Sequence, residues 1–247
     1  MTGAHARPAG YRSGLVALLA TGLLALSGAT CIGVAVTHQQ HPRQPPLATV
    51  DSLGPSAPRA ASGSHPLGLT KPVARVVGPV LPASAPVAID IPAIGVHSPL
   101  QSLGQNPDGS LQVPAPGSPR YDEAGWYRYS PTPGSLGPAV IVGHLDSVRG
   151  PSVFFRLGSL HAHDTVLVRR ADGSVAVFTV DQVRRYHKSS FPSQLVYGNT
   201  NHAALRLITC GGPIDPATGH YRDNIVVLAS LVRALGGTQS TIATPAV

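Results

Sequence analysis

Short apolar runs separated by turn residues fill the C-terminal part of the chain. The runs are rich in Val, Ile and aromatic residues, and Asn-Pro-Asp-Gly and Ala-Asp-Gly turns interrupt them, as is typical of β-strands joined by tight turns. Helical periodicity is poor, and only 152–160 and 191–198 have room for a helical turn or two. About eight short strands favour a closed barrel or a sandwich. The predicted strands are residues 87–94, 106–113, 125–129, 138–144, 164–170, 174–186, 204–210 and 223–232.

The run PAVIVGH at 138–144 is apolar until its last residue. A continuous apolar run predicts a strand that is covered on both faces. His144 ends this run, and Cys210 ends the run at 204–210 in the same way. Because two strand ends in one barrel can face one cleft, these two side chains are candidates for a common site.

An uncharged apolar segment lies at residues 13–36, with Arg7 and Arg12 before it and no acidic residue before Asp51. Such a segment of about 24 residues can cross a hydrocarbon core of roughly 30 Å, and the preceding basic residues favour a cytoplasmic N-terminus. We therefore expect cytoplasmic residues 1–12, a single-pass transmembrane signal-anchor at 13–36, and an extracellular remainder. A cleaved signal peptide and a buried soluble helix are the alternative interpretations.

Prolines punctuate residues 37–86. Proline removes backbone donors and fixes φ, so neither a helix nor a central strand can run through this segment. We expect an extended, mostly disordered linker that holds one domain, residues 87–235, off the membrane, and a disordered tail at 236–247. An unstructured segment with no spacing role fits the same composition.

The chain carries a formal net charge of +7. A basic protein can contact anionic polymers or lipid head groups. The basic residues are scattered, however, and few aromatic residues accompany them. No nucleic-acid-binding motif is present, so we expect no nucleic-acid partner.

The chain has two cysteines, Cys31 and Cys210. Cys31 lies in the predicted membrane segment, so Cys210 has no disulfide partner in a compartment where disulfides normally form. Such a cysteine is either buried and inert or used in chemistry. Gly211 and Gly212 follow it, and Arg222 lies where the next strand is expected to begin. A guanidinium returning toward the thiol would favour the thiolate and could donate to an oxyanion.

A thiol nucleophile needs a proton shuttle, and histidine is the usual one. His144 is placed best because it ends the most apolar strand. His220, close in sequence to Arg222, is the second candidate. His161 and His163 have the spacing of half a metal site, but no further ligands cluster with them in the sequence, so we expect no metal.

Three motifs resemble those of the sortase family: AVIVGHLDS at 139–147, LRLITCGG at 205–212 and HYRDNIVVLA at 220–229. They are similar, in order, to the histidine, cysteine and arginine motifs of that family, and the GH-x-DS and TCGG elements most resemble actinobacterial class F sortases. The likeness extends from VAIDIPAIGVHSPL at 87–100 through AGWY at 124–127 to the last strand. It implies an all-β domain, a sortase-like closed eight-stranded barrel with one or two short helices.

By position, the resemblance implies His144, Cys210 and Arg222 as the catalytic residues. The loop between the cysteine and the arginine varies in length within the family. Arg206, on the strand of the cysteine, is the alternative arginine.

The resemblance also implies residues that touch substrate. Asp146 and Ser147, just beyond the histidine, are expected to line the cleft, and Thr209 precedes the cysteine as in the family motif. Phe154 or Phe155 either lines an apolar pocket for substrate or belongs to the core. Some sortases use calcium, but the chain has only 11 acidic residues and no carboxylate cluster, so we expect no cofactor.

The activity implied by the resemblance is that of a membrane-anchored cysteine transpeptidase, a thiol protease of the hydrolase class. It would cleave a Leu-Pro-x-Thr-Gly-like sorting signal between Thr and Gly through a thioester, and transfer the protein to an amine of peptidoglycan or pilin type at the cell surface. A non-catalytic, membrane-tethered β-barrel binding module with an inert cysteine is the alternative. An L,D-transpeptidase fits less well, because that family has glycine before the cysteine and arginine two residues after it.

Overall fold

Eight strands form a closed barrel in the computed structural model, which describes residues 42–48 and 75–236. The described residues contain ten strands, of which eight belong to the barrel: β1 Pro86–Ile91, β2 Val96–Leu103, β3 Ala124–Tyr127, β4 Gly137–Val142, β5 Asp146–Ser147, β6 Gly150–Pro151, β7 Thr165–Arg170, β8 Val175–His187, β9 Ala203–Ile214 and β10 Tyr221–Leu235. The order around the barrel is β1-β2-β3-β4-β9-β10-β8-β7, and β5 and β6 form a separate hairpin. The predicted all-β, eight-stranded barrel is therefore confirmed.

The helical content of the described residues is small. Three single turns of 3-10 helix occur at Pro92–Ile94, Leu157–Ser159 and Lys188–Ser190, and one short α-helix, α1, spans Ser193–Tyr197. Within 42–48 and 75–236, none of the helices has the length and apolar character to span a bilayer. The predicted membrane segment at 13–36 lies outside the described residues, as do residues 1–12 and 237–247.

One predicted strand is wrong, and another strand was not predicted. Residues 106–110 form a polar turn closed by an isolated bridge between Gln105 and Leu111, and residues 112–113 continue without regular structure. The missing barrel strand is β2, whose Pro99 and several polar residues are unfavourable signals for a strand. Its place is set by its neighbours, since β2 pairs antiparallel with β1 and parallel with β3. Tertiary pairing outweighs local propensity here.

Alternating strand residues build two apolar layers, one inside the barrel and one on its outer wall. Every residue of β4 is buried between the two layers, as the continuous apolar run predicted. The interior layer includes Ile89, Ile141, Phe178, Leu205 and Ile225. The outer layer includes Val142, Tyr186, Val196, Ile208 and Val226, with Val196 contributed by α1.

Residues 42–48, part of the predicted linker, lie against the barrel. The Gln44 side-chain oxygen accepts a hydrogen bond of 2.8 Å from the Gly212 amide, and the Ala48 amide donates to the Arg185 carbonyl at 2.8 Å. Pro45 is buried. This docking was not expected from the sequence, because a proline-rich extended segment has no pattern that indicates a partner. The linker boundaries at 37 and 86 stay predictions.

Replacing Gly158 should release residues 42–48 from the barrel. A Cβ at Gly158 would overlap the backbone oxygen of Arg43 and lie 3.0 Å from Cδ of Pro45, so Gly158→Ala requires the segment to move. Overpacking costs about 1–3 kcal/mol, and proteolysis follows the population of the open form. Trypsin should therefore cleave after Arg43 roughly tenfold faster or more than in the wild type. Ser159→Ala is the control, and equal cleavage of Gly158→Ala and the wild type would contradict this contact.

Candidate active site

The pairing of β4 with β9 brings two candidate residues to the same edge of the sheet. The strands are parallel neighbours, with Val142 opposite Ile208, and the Gly143 amide continues the ladder by donating to the Ile208 carbonyl at 3.1 Å. Parallel strands end at the same edge of a sheet. Continuing the register by two residues therefore sets His144 beside Cys210.

His144 and Cys210 line one pocket of about 220 Å³. Cys210 is partly exposed, and it shares the outer face of the barrel wall with Ile208 because side chains alternate along a strand. Asn224 of β10 lies directly opposite Cys210 and contributes a polar group. The apolar walls come from Leu111, Val113, Val142, Ile208 and Tyr197.

The imidazole of His144 is held by two contacts. Its ring stacks on the Tyr121 ring, with centroids 4.0 Å apart and planes at 5°. Its Nε2 lies 2.8 Å from the Pro114 carbonyl oxygen. A carbonyl only accepts, so Nε2 carries a proton, and in the neutral ring Nδ1 is left as the base. The histidine is therefore oriented before any substrate arrives.

Two glycines permit the close packing around these residues. A Cβ at Gly143 would lie 2.7 Å from both the Phe154 ring and Val153. Gly212 has φ +73°, and its Cβ would overlap the carboxylate of Asp223. The lack of a side chain at Gly212 thus lets Asp223 of β10 pack closely against the backbone that follows the cysteine.

Arg222 lies outside the pocket of Cys210. Its Nη2 is 3.6 Å from Oδ1 of Asp215, and its side chain is 53% exposed. Arg222 lines a separate pocket of about 610 Å³ together with Lys188 and His220. The structure therefore brings His144 and Cys210 together and leaves Arg222 in a separate pocket, paired with Asp215.

Arg206, the alternative arginine, is 4% exposed. Its position four residues before Cys210 corresponds to about 13 Å along a strand. Burial is the main cause that lowers the pKa of its guanidinium. Neither arginine lines the cysteine pocket, but Arg222 shares a pocket with Lys188, whose Nζ lies 3.7 Å from Sγ of Cys210, so Arg222 is the better placed of the two.

Lys188 is a candidate that sequence reasoning missed. Its Nζ lies 3.7 Å from Sγ of Cys210. No motif includes it, because it lies in the connection between β8 and α1 rather than at the end of the cysteine or histidine strand. Only the order of strands in the barrel could have indicated it, since β8 reaches the site through β10.

Asp146 and Ser147 line a wider pocket of about 770 Å³ together with Tyr121. The Asp146 carboxylate accepts a hydrogen bond of 2.5 Å from the Tyr221 hydroxyl, and its carbonyl accepts one of 3.1 Å from the Tyr121 hydroxyl. Burial is the main cause that raises the pKa of both tyrosines, and the negative charge of Asp146 raises both further.

Thr209 lines the cysteine pocket, but its side chain follows the interior face of the wall. It lies opposite Ile225, a residue of the interior layer, and is 3% exposed. Within the described part of the chain, its hydroxyl has no hydrogen-bond partner.

Phe154 belongs to the interior layer, and Phe155 is buried too. The apolar pocket walls come instead from residues that include Leu111 and Val113. The sequence analysis missed these two because it predicted 106–113 as a strand.

Across 42–48 and 75–236, no three His, Cys, Asp or Glu side chains group as metal ligands.

Comparisons with known proteins identify one family. The model described as "Sortase domain" matches residues 89–232, more than half of the chain. Among solved structures, sortase A from Corynebacterium diphtheriae is 21% identical, with a TM-score of 0.45 over 62% of this chain and 61% of that chain. Listeria monocytogenes sortase A is 17% identical, with a TM-score of 0.47 over 64% and 93%. Sortase C-1 from Actinomyces oris is 19% identical, with a TM-score of 0.46 over 59% and 73%.

The chain spans less than two thirds of the length of the Corynebacterium diphtheriae structure. No curated protein sequence matches it. The class F assignment stays a prediction.

The Tyr221 hydroxyl should stay protonated well into the alkaline range. Burial, and then its bond to Asp146, raise its pKa above the ordinary value. In the unfolded chain, where the tyrosine pKa is about 10, this proton is lost at a lower pH than in the folded protein. The stability that the protonated Tyr221 contributes is therefore complete below about pH 10 and declines as the pH rises further. Tyr221→Phe should lose less unfolding free energy than the wild type between about pH 8 and about pH 11.

Urea unfolding at the two pH values measures this difference. Tyr129→Phe is the matched control, because Tyr129 is 63% exposed, and it should behave like the wild type. An equal alkaline loss in Tyr221→Phe and the wild type would contradict the coupling of Tyr221 to the fold.

Proposed function

The chain belongs to the sortase family, and on that premise we propose that it is a membrane-anchored cysteine transpeptidase. Its substrate is a protein with a Leu-Pro-x-Thr-Gly-like sorting signal, which it cleaves between Thr and Gly and joins to a cell-surface amine of peptidoglycan or pilin type. The observation that carries this proposal is that Cys210 and His144 line the same, largely apolar pocket.

In the first half-reaction, the Cys210 thiolate attacks the carbonyl carbon of the threonine. A carbon–sulfur bond forms, and the carbonyl oxygen becomes an oxyanion, which Arg222 stabilises. The carbon–nitrogen bond then breaks, and the imidazolium of His144 gives its proton to the leaving amine. The thioester acyl-enzyme remains.

In the second half-reaction, His144 takes a proton from the incoming amine. The amine nitrogen attacks the thioester carbon, the carbon–sulfur bond breaks, and Cys210 leaves as thiolate. Water is the slower alternative nucleophile. Because both halves use one site, ping-pong kinetics are expected.

The walls of the cysteine pocket suit the apolar part of such a signal. Leu111, Val113, Ile208 and Tyr197 offer apolar surface next to Cys210, where a Leu-Pro pair can bury its side chains. An extended peptide would lie on the outer wall of the barrel, since Cys210 faces outward there.

The extracellular, membrane-anchored location is part of the proposal. It is supported by the uncharged segment at 13–36 and by the basic residues before it. The class F subtype is likewise proposed, from the GH-x-DS and TCGG elements alone.

The purified protein should cleave a fluorogenic Leu-Pro-x-Thr-Gly peptide, and Cys210→Ala should not. His144→Ala should lower the rate by about 10² to 10⁴, the usual contribution of general acid–base catalysis. Cys31→Ala is the matched cysteine control and should cleave normally. Unchanged cleavage by Cys210→Ala would remove the thiol mechanism.

Arg222→Ala should lower kcat by about 10² to 10³, the usual loss when an oxyanion donor is removed. Asp215→Ala frees Arg222 from its ion pair and should keep the wild-type rate, because exposed ion pairs are worth at most about 1 kcal/mol. Steady-state kinetics of both variants test this. If Arg206→Met, with its fold checked by circular dichroism, loses turnover while Arg222→Ala retains it, the assignment of Arg222 is wrong.

A further inference from the structure

Lys188 donates a hydrogen bond to the sulfur of Cys210, with Nζ 3.7 Å from Sγ. It opens the 3-10 turn Lys188–Ser190 directly after β8. None of the three motifs at 139–147, 205–212 and 220–229 includes it. A cation in contact with a cysteine sulfur favours the thiolate over the thiol.

The residue before Lys188 fixes the end of β8 in place. His187 lies opposite Asp223 of β10, and the two side chains are joined at 2.6 Å. Asp223 also lies 3.5 Å from Nε of Arg185, and its side chain is 1% exposed. This buried anchor sets the point from which the Lys188 side chain starts.

The distance from β8 to the cysteine suits a lysine. β10 lies between β8 and β9, and neighbouring strands are about 4.8 Å apart. A long, flexible side chain can therefore cross β10 and reach Sγ with its ammonium group.

The two cations near the cysteine have separate positions. Lys188 contacts the sulfur, whereas Arg222 pairs with Asp215 at 3.6 Å, and both line the pocket of about 610 Å³. The geometry points to Lys188 as a catalytic residue, whose ammonium holds the Cys210 sulfur as thiolate in the free enzyme while Arg222 serves the peptide carbonyl. The thiol proton passes to His144, and Lys188 takes no part in this proton transfer. This inference rests on the proposed function.

Other titratable groups also face Cys210 and must be separated from Lys188. The Asp223 carboxylate is engaged by His187 and Arg185, as described above. His144 and Tyr197 line the pocket of Cys210, Tyr121 and Tyr221 interact electrostatically with Cys210, and His187 and Arg222 share the pocket of Lys188. His144 is the one expected to exchange a proton with the sulfur, so each comparison is repeated in His144→Gln.

The test uses the full chain and measures, as a function of pH, the rate at which iodoacetamide alkylates Cys210. Mass spectrometry of the peptide that contains Cys210 quantifies the alkylation. Lys188→Met should move the half-maximal pH upward by about one unit, the size expected for one charge about 4 Å away in a solvated site. Lys188→Arg should restore most of the shift. Arg233→Met removes an exposed charge elsewhere and should leave the profile unchanged.

Salt provides a second measurement. Raising the ionic strength to about 1 M shortens the screening length to about 3 Å, so the difference between Lys188→Met and the wild type should shrink. Identical alkylation profiles for Lys188→Met and the wild type, with and without His144, would overturn the role of Lys188. Alkylation needs no peptide, so a shifted profile without peptide cleavage would reject the proposed function and keep the contribution of Lys188.

Discussion

The parallel pairing of β4 with β9 is the constraint on which the candidate site depends. Every residue of β4 is buried, so its register against β9 is fixed by apolar packing on both faces. A slip of one residue would exchange the faces of a strand and turn Cys210 into the interior. The same pairing that fills the barrel therefore also sets Cys210 beside His144.

β10 organises the charged half of the site. It lies between β8 and β9, and its Asp223 is buried where the two neighbouring strands end. The Asp223 carboxylate pairs with His187 and Arg185 of β8. Toward β9, it occupies the space that a side chain at Gly212 would need. Through this one carboxylate, the end of β8 is held near the cysteine, and Lys188 and Arg222 are brought into one pocket.

Much of the barrel and part of the site could be predicted from the sequence. The apolar run ending at His144 indicated both β4 and its burial, and the motif order indicated that His144 and Cys210 belong together. β2 was missed because its pairing partners, rather than its own residues, make it a strand. Lys188 and Tyr121 were missed for a related reason: their roles depend on strand order and loop packing, which leave no local pattern.

The position of Cys210 on the outer wall has a consequence for protein engineering. Along β9, even-numbered residues from Arg206 to Cys210 face the outer layer, while Leu205, Leu207 and Thr209 follow the interior. The outward residues are packed too, since Arg206 and Ile208 are buried and Ile208 belongs to the outer apolar layer with Val142 and Val226. Reshaping the wall beside Cys210 therefore also repacks that layer, so a library along this strand has to be screened for thermal tolerance together with reactivity.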